Sequence, residues 1–321
     1  MKGSSRRIVI IGASSGIGAA TALAFARQGC HLVLGARGRE GLEDIARQCR
    51  AAGGHAEIGL VDATDAAAVA TFAAEARAAL GGIDLWFSDV GIGVVGKYVD
   101  VPIADHQRVI ESNLLSHMND AHAVMPIFVE QGYGTWINMI SVGGYVTTPY
   151  AAAYSASKFG LRGFSEALRA ELNDYPDIHV CDVYPTFVDT PAVYHAGNYT
   201  GQPLTYPPGA LAPETVADAI VRLARRPRDT TVVGMPATLL KLSQFANPVT
   251  TALMNRFMNA WSNKPAQVPI TTGTMHAPST GVSGIHGGQR RTSRGGGNTA
   301  LVIGAAVAAA AIGIHLSRRD S

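Results

Sequence analysis

Apolar residues first gather in a tight run, IVII at 8–11, and then recur at helical spacing in AATALAFARQG. A short β-branched run reads as a buried strand, and the spacing after it reads as a helix. The alternation repeats, with HLVLGAR as a second strand and GREGLEDIARQCRAAGG as a second helix closed by glycines. HAEIGLVD and IDLWFSD take the strand role again around an alanine-rich helix over 66–80, and further strands are expected over 135–141, 178–184 and 230–234. Short apolar strands alternating with helices of roughly ten or more residues predict parallel βαβ units. The expected fold class is α/β, a Rossmann-like doubly wound parallel sheet with helices on both faces over about residues 6–235, plus a C-terminal helical extension.

Beyond Met235 the alternation stops, and the chain divides into a catalytic domain over 1–238 and three further segments. A helical extension covers 239–263, where Pro248 breaks or kinks the helix. A flexible linker over 264–298 is rich in Gly, Ser, Thr and Pro and carries Arg290, Arg291 and Arg294. A hydrophobic helix over 299–317 contains ALVIGAAVAAAAIGIHL, from Ala300 to Leu316. At 1.5 Å per residue that stretch spans about 25 Å, short of a roughly 30 Å hydrocarbon core. Arg318 and Arg319 follow it and can snorkel, which lengthens the effective span. The segment is a candidate membrane anchor; the competing reading is an Ala/Gly helix that packs on another helix, as in a homodimer. At the other end, MKGSSRR precedes an apolar run too short for a signal-peptide core. A cytoplasmic catalytic domain is expected, membrane-associated if the tail inserts.

The chain has 321 residues, 47% of them hydrophobic and 16% charged, which is a globular composition. A formal net charge of +2 gives no electrostatic reason for a nucleic-acid partner. Cys30, Cys49 and Cys181 form no CxxC pair, and His117 and His122 are not at metal-ligand spacing. No metal site is expected.

The loop GASSGIG, between the first strand and the first helix, places Gly12, Gly16 and Gly18 where a dinucleotide pyrophosphate is bound. Glycine permits the tight turn, the close approach of backbone to phosphate and the packing of helix on strand, while the helix N-terminus supplies N–H donors. Gly12, Ser14, Ser15, Gly16, Ile17 and Gly18 are the candidate contacts. The second strand ends in Gly35-Ala36-Arg37, with no carboxylate to take adenosine ribose hydroxyls. A guanidinium there can take a 2′-phosphate, which favours NADP over NAD; otherwise Arg37 is a solvated loop residue.

In YAAAYSASKFG, Tyr154 lies four residues before Lys158, so the two share a helix face, whereas Tyr150 is two turns from the lysine. An ammonium beside a phenol favours the phenolate and makes the tyrosine a usable general acid or base. Taken together, GASSGIG at 12–18, Asn113 in ESNLL, Ser141 in NMIS and YSASK at 154–158 make the chain resemble a classical short-chain dehydrogenase/reductase.

The resemblance implies Tyr154 as general acid or base, with Lys158 holding the nicotinamide ribose and lowering the tyrosine pKa. It implies that Ser141 binds the substrate oxygen and that Asn113 helps hold a water linking Lys158 to solvent. Asp62 and the Ala63 backbone would contact adenine, Gly91 in SDVG would lie beside the cofactor, and Pro185, Val188 and Thr190 would hold the nicotinamide amide. Three positions depart from the family pattern: Ile11 stands for a threonine, Ser88-Asp89-Val90 for N-N-A, and Thr186 for a glycine. Tyr194, Tyr199 and Tyr206, in the loop that would close over substrate, suit an apolar carbonyl compound or ordinary packing equally. The expected activity is NADP-dependent interconversion of a carbonyl and a secondary alcohol. The alternative is a non-catalytic NAD(P)-binding regulatory or scaffold protein at a membrane.

Overall fold

The computed structural model describes residues 6–207, 209–243, 251–252, 254–256, 267–278 and 284–290. Strand β1 (Arg7–Ile11) leads into α1 (Gly16–Ala26), β2 (His31–Ala36) into α2 (Arg39–Ala51), and β3 (His55–Leu60) into α3 (Ala66–Leu80). Then come β4 (Leu85–Ser88), the short β5 (Val94–Val95), α4 (Ile103–Ile110), a π turn over Glu111–Leu115 and α5 (Ser116–Gln131). β6 (Gly134–Met139), α6 (Ala152–Glu171), β7 (Ile178–Pro185), α7 (Ala192–His195), β8 (Gly197–Asn198), α8 (Pro213–Arg225), β9 (Thr230–Val233) and α9 (Ala237–Ser243) complete the series.

Seven strands form one parallel sheet in the order β3-β2-β1-β4-β6-β7-β9, as the apolar pattern predicts. Side chains of β1 alternate: Ile8 and Ile10 pack with α1, α2 and α8, while Val9 and Ile11 pack with α3 and α5. Each face of the sheet therefore has its own buried cluster, which the two-residue period of a strand requires. The strand order reverses between β1 and β4, and in an open parallel sheet the ligand crevice lies outside the strand ends at that point.

β5 and β8 pair as a separate two-stranded ribbon over this crevice, and Thr271 extends it by exchanging hydrogen bonds with Asn198 (2.7 and 3.1 Å). Much of the expected 239–263 helix and all of the 299–317 segment lie outside the described residues. Among the described residues no helix is long and apolar enough to cross a membrane.

Candidate active site

Three close approaches shape the glycine loop. A Cβ on Gly12 would sit 2.4 Å from the Asp89 carbonyl oxygen, and one on Gly18 would sit 2.3 Å from the Gly12 carbonyl oxygen. Gly12 and Gly16 also have φ of +88° and +58°, in the left-handed region that favours glycine. The loop consequently folds tightly against the start of the β4 loop and aims the α1 N-terminus into the crevice. Thr190, after β7, packs against Gly16 at 3.3 Å from where its Cβ would be.

Tyr154 and Lys158 share the crevice face of α6, with the Lys158 Nζ 5.8 Å from the Tyr154 ring centroid. Ser141, just past β6, hydrogen-bonds the Tyr154 phenol and also accepts from Gly143 N at 3.1 Å. Its backbone is held at φ 134°, ψ 159°, a conformation that a residue with a side chain adopts only when its surroundings impose it. Such strain gathers where a side chain must be aimed. Asn113 lies in the π turn, fully buried; its Oδ1 accepts from Ile92 N (2.7 Å) and its Nδ2 donates to Ile92 O (2.9 Å) and Ser157 Oγ (3.2 Å). The side chain clamps the loop after β4 to α6, and π turns interrupt helices at functional sites. Tyr150 stands apart at φ +64°, its carbonyl accepting from Gly96 N, on a groove of about 670 Å³ with Tyr98 and Thr148.

The electrostatics correct one expectation. Burial raises the Tyr154 pKa above the ordinary phenol value, and the Ser141 hydrogen bond only partly offsets this. Lys158 is not among the groups that shift it; its ammonium donates to the Met139 carbonyl at 3.2 Å. Burial brings the Lys158 pKa down to about 8, opposed by Asp89. The Asp89 carboxyl is pushed up to about 8 by burial, opposed by Lys158 and by the Gly18 N–H. Asp89, which departs from the family pattern, is thus electrostatically coupled to Lys158.

Gly91 lies beside Lys158 and Asn113, a Cβ there falling 3.9 Å from Lys158 Nζ and 3.6 Å from Asn113 Oδ1. At the adenosine end, the Arg37 Nη2 donates to the Thr274 carbonyl at 3.1 Å. Asp62 accepts from Thr64 N (3.0 Å) and Thr64 Oγ (2.7 Å) and stands 3.6 Å from Arg108. Burial works against the Asp62 charge, but those hydrogen bonds and the two arginines outweigh it and hold the pKa below the usual carboxylate value. The cap of α3 is Asp65, which accepts from Ala67 and Ala68 N, so Asp62 is free of that task. The Ala63 carbonyl accepts from Asn119. Pro185 ends β7, Val188 bridges Leu211, and Thr190 Oγ lies 3.2 Å from the Tyr206 hydroxyl. The Tyr199 hydroxyl donates a hydrogen bond to Asp105 Oδ2, while Tyr194 is exposed.

The departures at Ile11 and Ser88 are compensated from a distance. The two residues are register partners, followed across the sheet by Asn138 and Asp182. Ser88 Oγ donates to Asp120 Oδ2 at 2.6 Å and accepts from Trp136 Nε1 at 2.9 Å. Asn138 is bridged to the Val90 carbonyl by the buried His117, at 2.6 and 2.8 Å. A serine is too short to span the strands alone, so α5 and β6 supply the missing bonds. No local pattern around Asp120 or Trp136 announces this.

Part of the expected linker lies in the crevice. Residues 267–278 and 284–290 run along it, with Met275 fully buried among Val94, Val101, Val109 and Ala153, and Ile285 packed on the main core. Gly16 N donates to Gly284 O at 2.9 Å. The composition that suggested flexibility instead permits close backbone approach: a Cβ on Gly273 would meet His195 O at 2.2 Å, and one on Gly287 would meet Thr190 O at 2.5 Å.

A glycine loop opening a helix at the switch point of a doubly wound sheet defines a dinucleotide-binding α/β protein. The family model described as short chain dehydrogenase matches residues 6–198, and the chain belongs to that family of NAD(P)-dependent oxidoreductases. It is 30% identical over 255 residues to the uncharacterized oxidoreductase YxnA of Bacillus subtilis, across 78% of this chain and 72% of the relative. It is 33% identical over 233 residues to the probable oxidoreductase EphD of Mycobacterium tuberculosis, across 68% of this chain but only 39% of that longer protein. Estradiol 17-beta-dehydrogenase 11 of Macaca fascicularis is 27% identical over 216 residues, 67% of this chain and 70% of the relative. Among solved structures, an alcohol dehydrogenase from Thermococcus sibiricus complexed with 5-hydroxy-NADP superimposes with a TM-score of 0.62 at 26% identity, over 71% of this chain and 96% of that one. A metagenomic short-chain oxidoreductase in complex with NADP gives 0.61 at 28%, over 71% and 97%.

Proposed function

We propose that the protein is an NADP-dependent oxidoreductase that interconverts a carbonyl and a secondary alcohol on an apolar substrate. The observation that carries this reading is the meeting of Ser141, Tyr154 and Lys158 beside the glycine loop, with the serine hydroxyl on the phenol. The residues present suit a dinucleotide phosphate: the Gly16 N–H and the Arg37 guanidinium each take a carbonyl oxygen in the crevice, the kind of acceptor a phosphate offers. The loop from Gly12 through Ser14, Ser15, Gly16, Ile17 and Gly18 would hold the pyrophosphate, and Arg37 the 2′-phosphate. Asp62 and Ala63 would line the adenine, Gly91, Tyr154 and Lys158 the nicotinamide ribose, and Pro185, Val188 and Thr190 the amide. When bound, the nicotinamide supplies or accepts the hydride.

The chain's own residues handle the proton. In reduction the Tyr154 phenol delivers its proton to the carbonyl oxygen, which the Ser141 hydroxyl holds as negative charge grows on it. The raised tyrosine pKa keeps that proton in place until it is needed. Asn113 fixes the loop that carries Gly91 against α6 and so keeps Lys158 in register with the site. The apolar substrate class is supported by the relative named as an estradiol dehydrogenase.

Tyr154→Phe is the test, with NADPH oxidation followed against a panel of apolar ketones. A loss of about 10²- to 10⁴-fold in kcat with NADPH affinity unchanged is expected. Full turnover in the variant would refute the acid–base role, whereas NADPH binding with no turnover of any ketone by the wild type would favour a non-catalytic NAD(P)-binding protein.

A further inference from the structure

We propose that residues 267–278 and 284–290 act as a strap that occupies the dinucleotide groove and must leave before the cofactor binds. The inference rests on the cofactor reading above. The strap follows the course expected of a dinucleotide, from its 2′-phosphate to its nicotinamide. Thr274 O takes the Arg37 guanidinium, and Pro278 lies against Gly38. Gly284 O takes the Gly16 N–H at the mouth of α1 (2.9 Å), and Ile285 packs on the core beneath it. The strap then reaches Asp189, beside Thr190, whose carbonyl accepts from Gly287 N (3.1 Å) and whose two carboxylate oxygens accept from Gln289 N (3.1 Å) and Arg290 N (2.9 Å).

Helix α4 grips the other end: Arg108 Nε donates to Met275 O at 3.1 Å, and Asp105 lies 2.9 Å from His276 Nε2. Met275 itself packs in the cluster that Tyr154 borders, so the strap reaches the chemistry as well as the phosphates. An N–H bonded to a strap carbonyl cannot hold a phosphate oxygen at the same time. A flap that closed over a bound dinucleotide would touch the rims of the groove and leave the floor donors to the ligand. Here the floor donors are the ones engaged. Strap and dinucleotide therefore compete, and the affinity measured for the cofactor is the intrinsic affinity reduced to the fraction of molecules with the strap out.

The test uses the full chain carrying Gly273→Ala and Gly287→Ala, two strap positions where a methyl group collides with backbone at 2.2 and 2.5 Å. Ala277→Ser, at an exposed strap position, is the control. Calorimetric titration with NADPH is expected to show at least about tenfold tighter binding by the double variant than by wild type or control. Hydrogen exchange on the wild type gives a second readout: saturating NADPH is expected to accelerate exchange at Gly287, Gln289 and Arg290. Equal affinity in all three chains, or slower exchange of the strap on adding NADPH, overturns the proposal while leaving the cofactor reading intact. Absence of NADPH binding in every chain, each folded by circular dichroism, overturns both.

Discussion

Asp120→Asn isolates the replacement brace between α5 and the sheet. Asp120 is fully buried, with Oδ2 bonded to Ser88 and the Trp86 indole N–H facing its carboxyl. Burial pushes its pKa from 3.8 up to about 7, and the hydrogen bonds from Ser88 and Trp86 offset only part of that. The sign follows from linkage. Between about pH 4 and 7 the folded chain keeps a proton that the unfolded chain has released, so stability falls as pH rises through this window and the loss is complete above it. Three pKa units at about 1.4 kcal/mol each put the full effect near 4 kcal/mol, and the part falling between pH 5 and 7 near 2 kcal/mol. Asparagine keeps the shape and the acceptor for Ser88 but does not titrate. Asp182, raised to about 6, and His117, lowered to about 4, titrate in both chains and cancel in the comparison. Urea denaturation at pH 5, 6, 7 and 8 should show the variant gaining roughly 2 kcal/mol on the wild type between pH 5 and 7, or roughly 4–9 °C in Tm. A gap that stays constant across that range would refute a protonated Asp120 in the fold.

Two further outcomes follow from the crevice. Arg37→Ala removes the guanidinium at the end of β2, so the preference for NADPH over NADH should fall about 10- to 100-fold, as read by the ratio of paired titrations, in which any loosening of the strap cancels. Asp89→Asn removes the charge that opposes the burial of Lys158, so the lysine should lose its proton below its present value of about 8. The alkaline fall in kcat then moves to lower pH, and an unmoved profile would show that Asp89 and Lys158 are not coupled.

The sheet was legible because its strands are short apolar runs between glycine-punctuated helices, and all seven lie where the pattern placed them. The site motifs were legible for the same reason: GASSGIG and YSASK encode their geometry within one turn or one helix face. The rest depends on residues distant in sequence. Ser88 and Asp120 are joined by a bond spanning 32 positions, Arg37 and Thr274 by one spanning 237. Neither leaves a local period. The stretch read as a linker has few apolar residues, and composition alone counts those few as noise. Met275 and Ile285 are nonetheless its anchors, and its glycines allow close backbone approach.

The resting charges and the strap point the same way. A tyrosine whose pKa is raised and a lysine turned toward Met139 O form a site with its proton stored and its activating charge withdrawn. For Lys158 to act on the phenol it has to exchange the Met139 carbonyl for a better acceptor in the crevice. Ribose hydroxyls can offer one, and on the strap proposal they arrive as Met275 leaves the cluster that Tyr154 borders. Expulsion of the strap and activation of the tyrosine are then one event. The phenol should accordingly keep its high pKa in the bare protein and lose it on dinucleotide binding, a shift that ultraviolet difference titration of wild type against Tyr154→Phe would detect. A tyrosine that already titrates low in the bare chain would break this link, because the site would then be charged for reaction with the strap still in place.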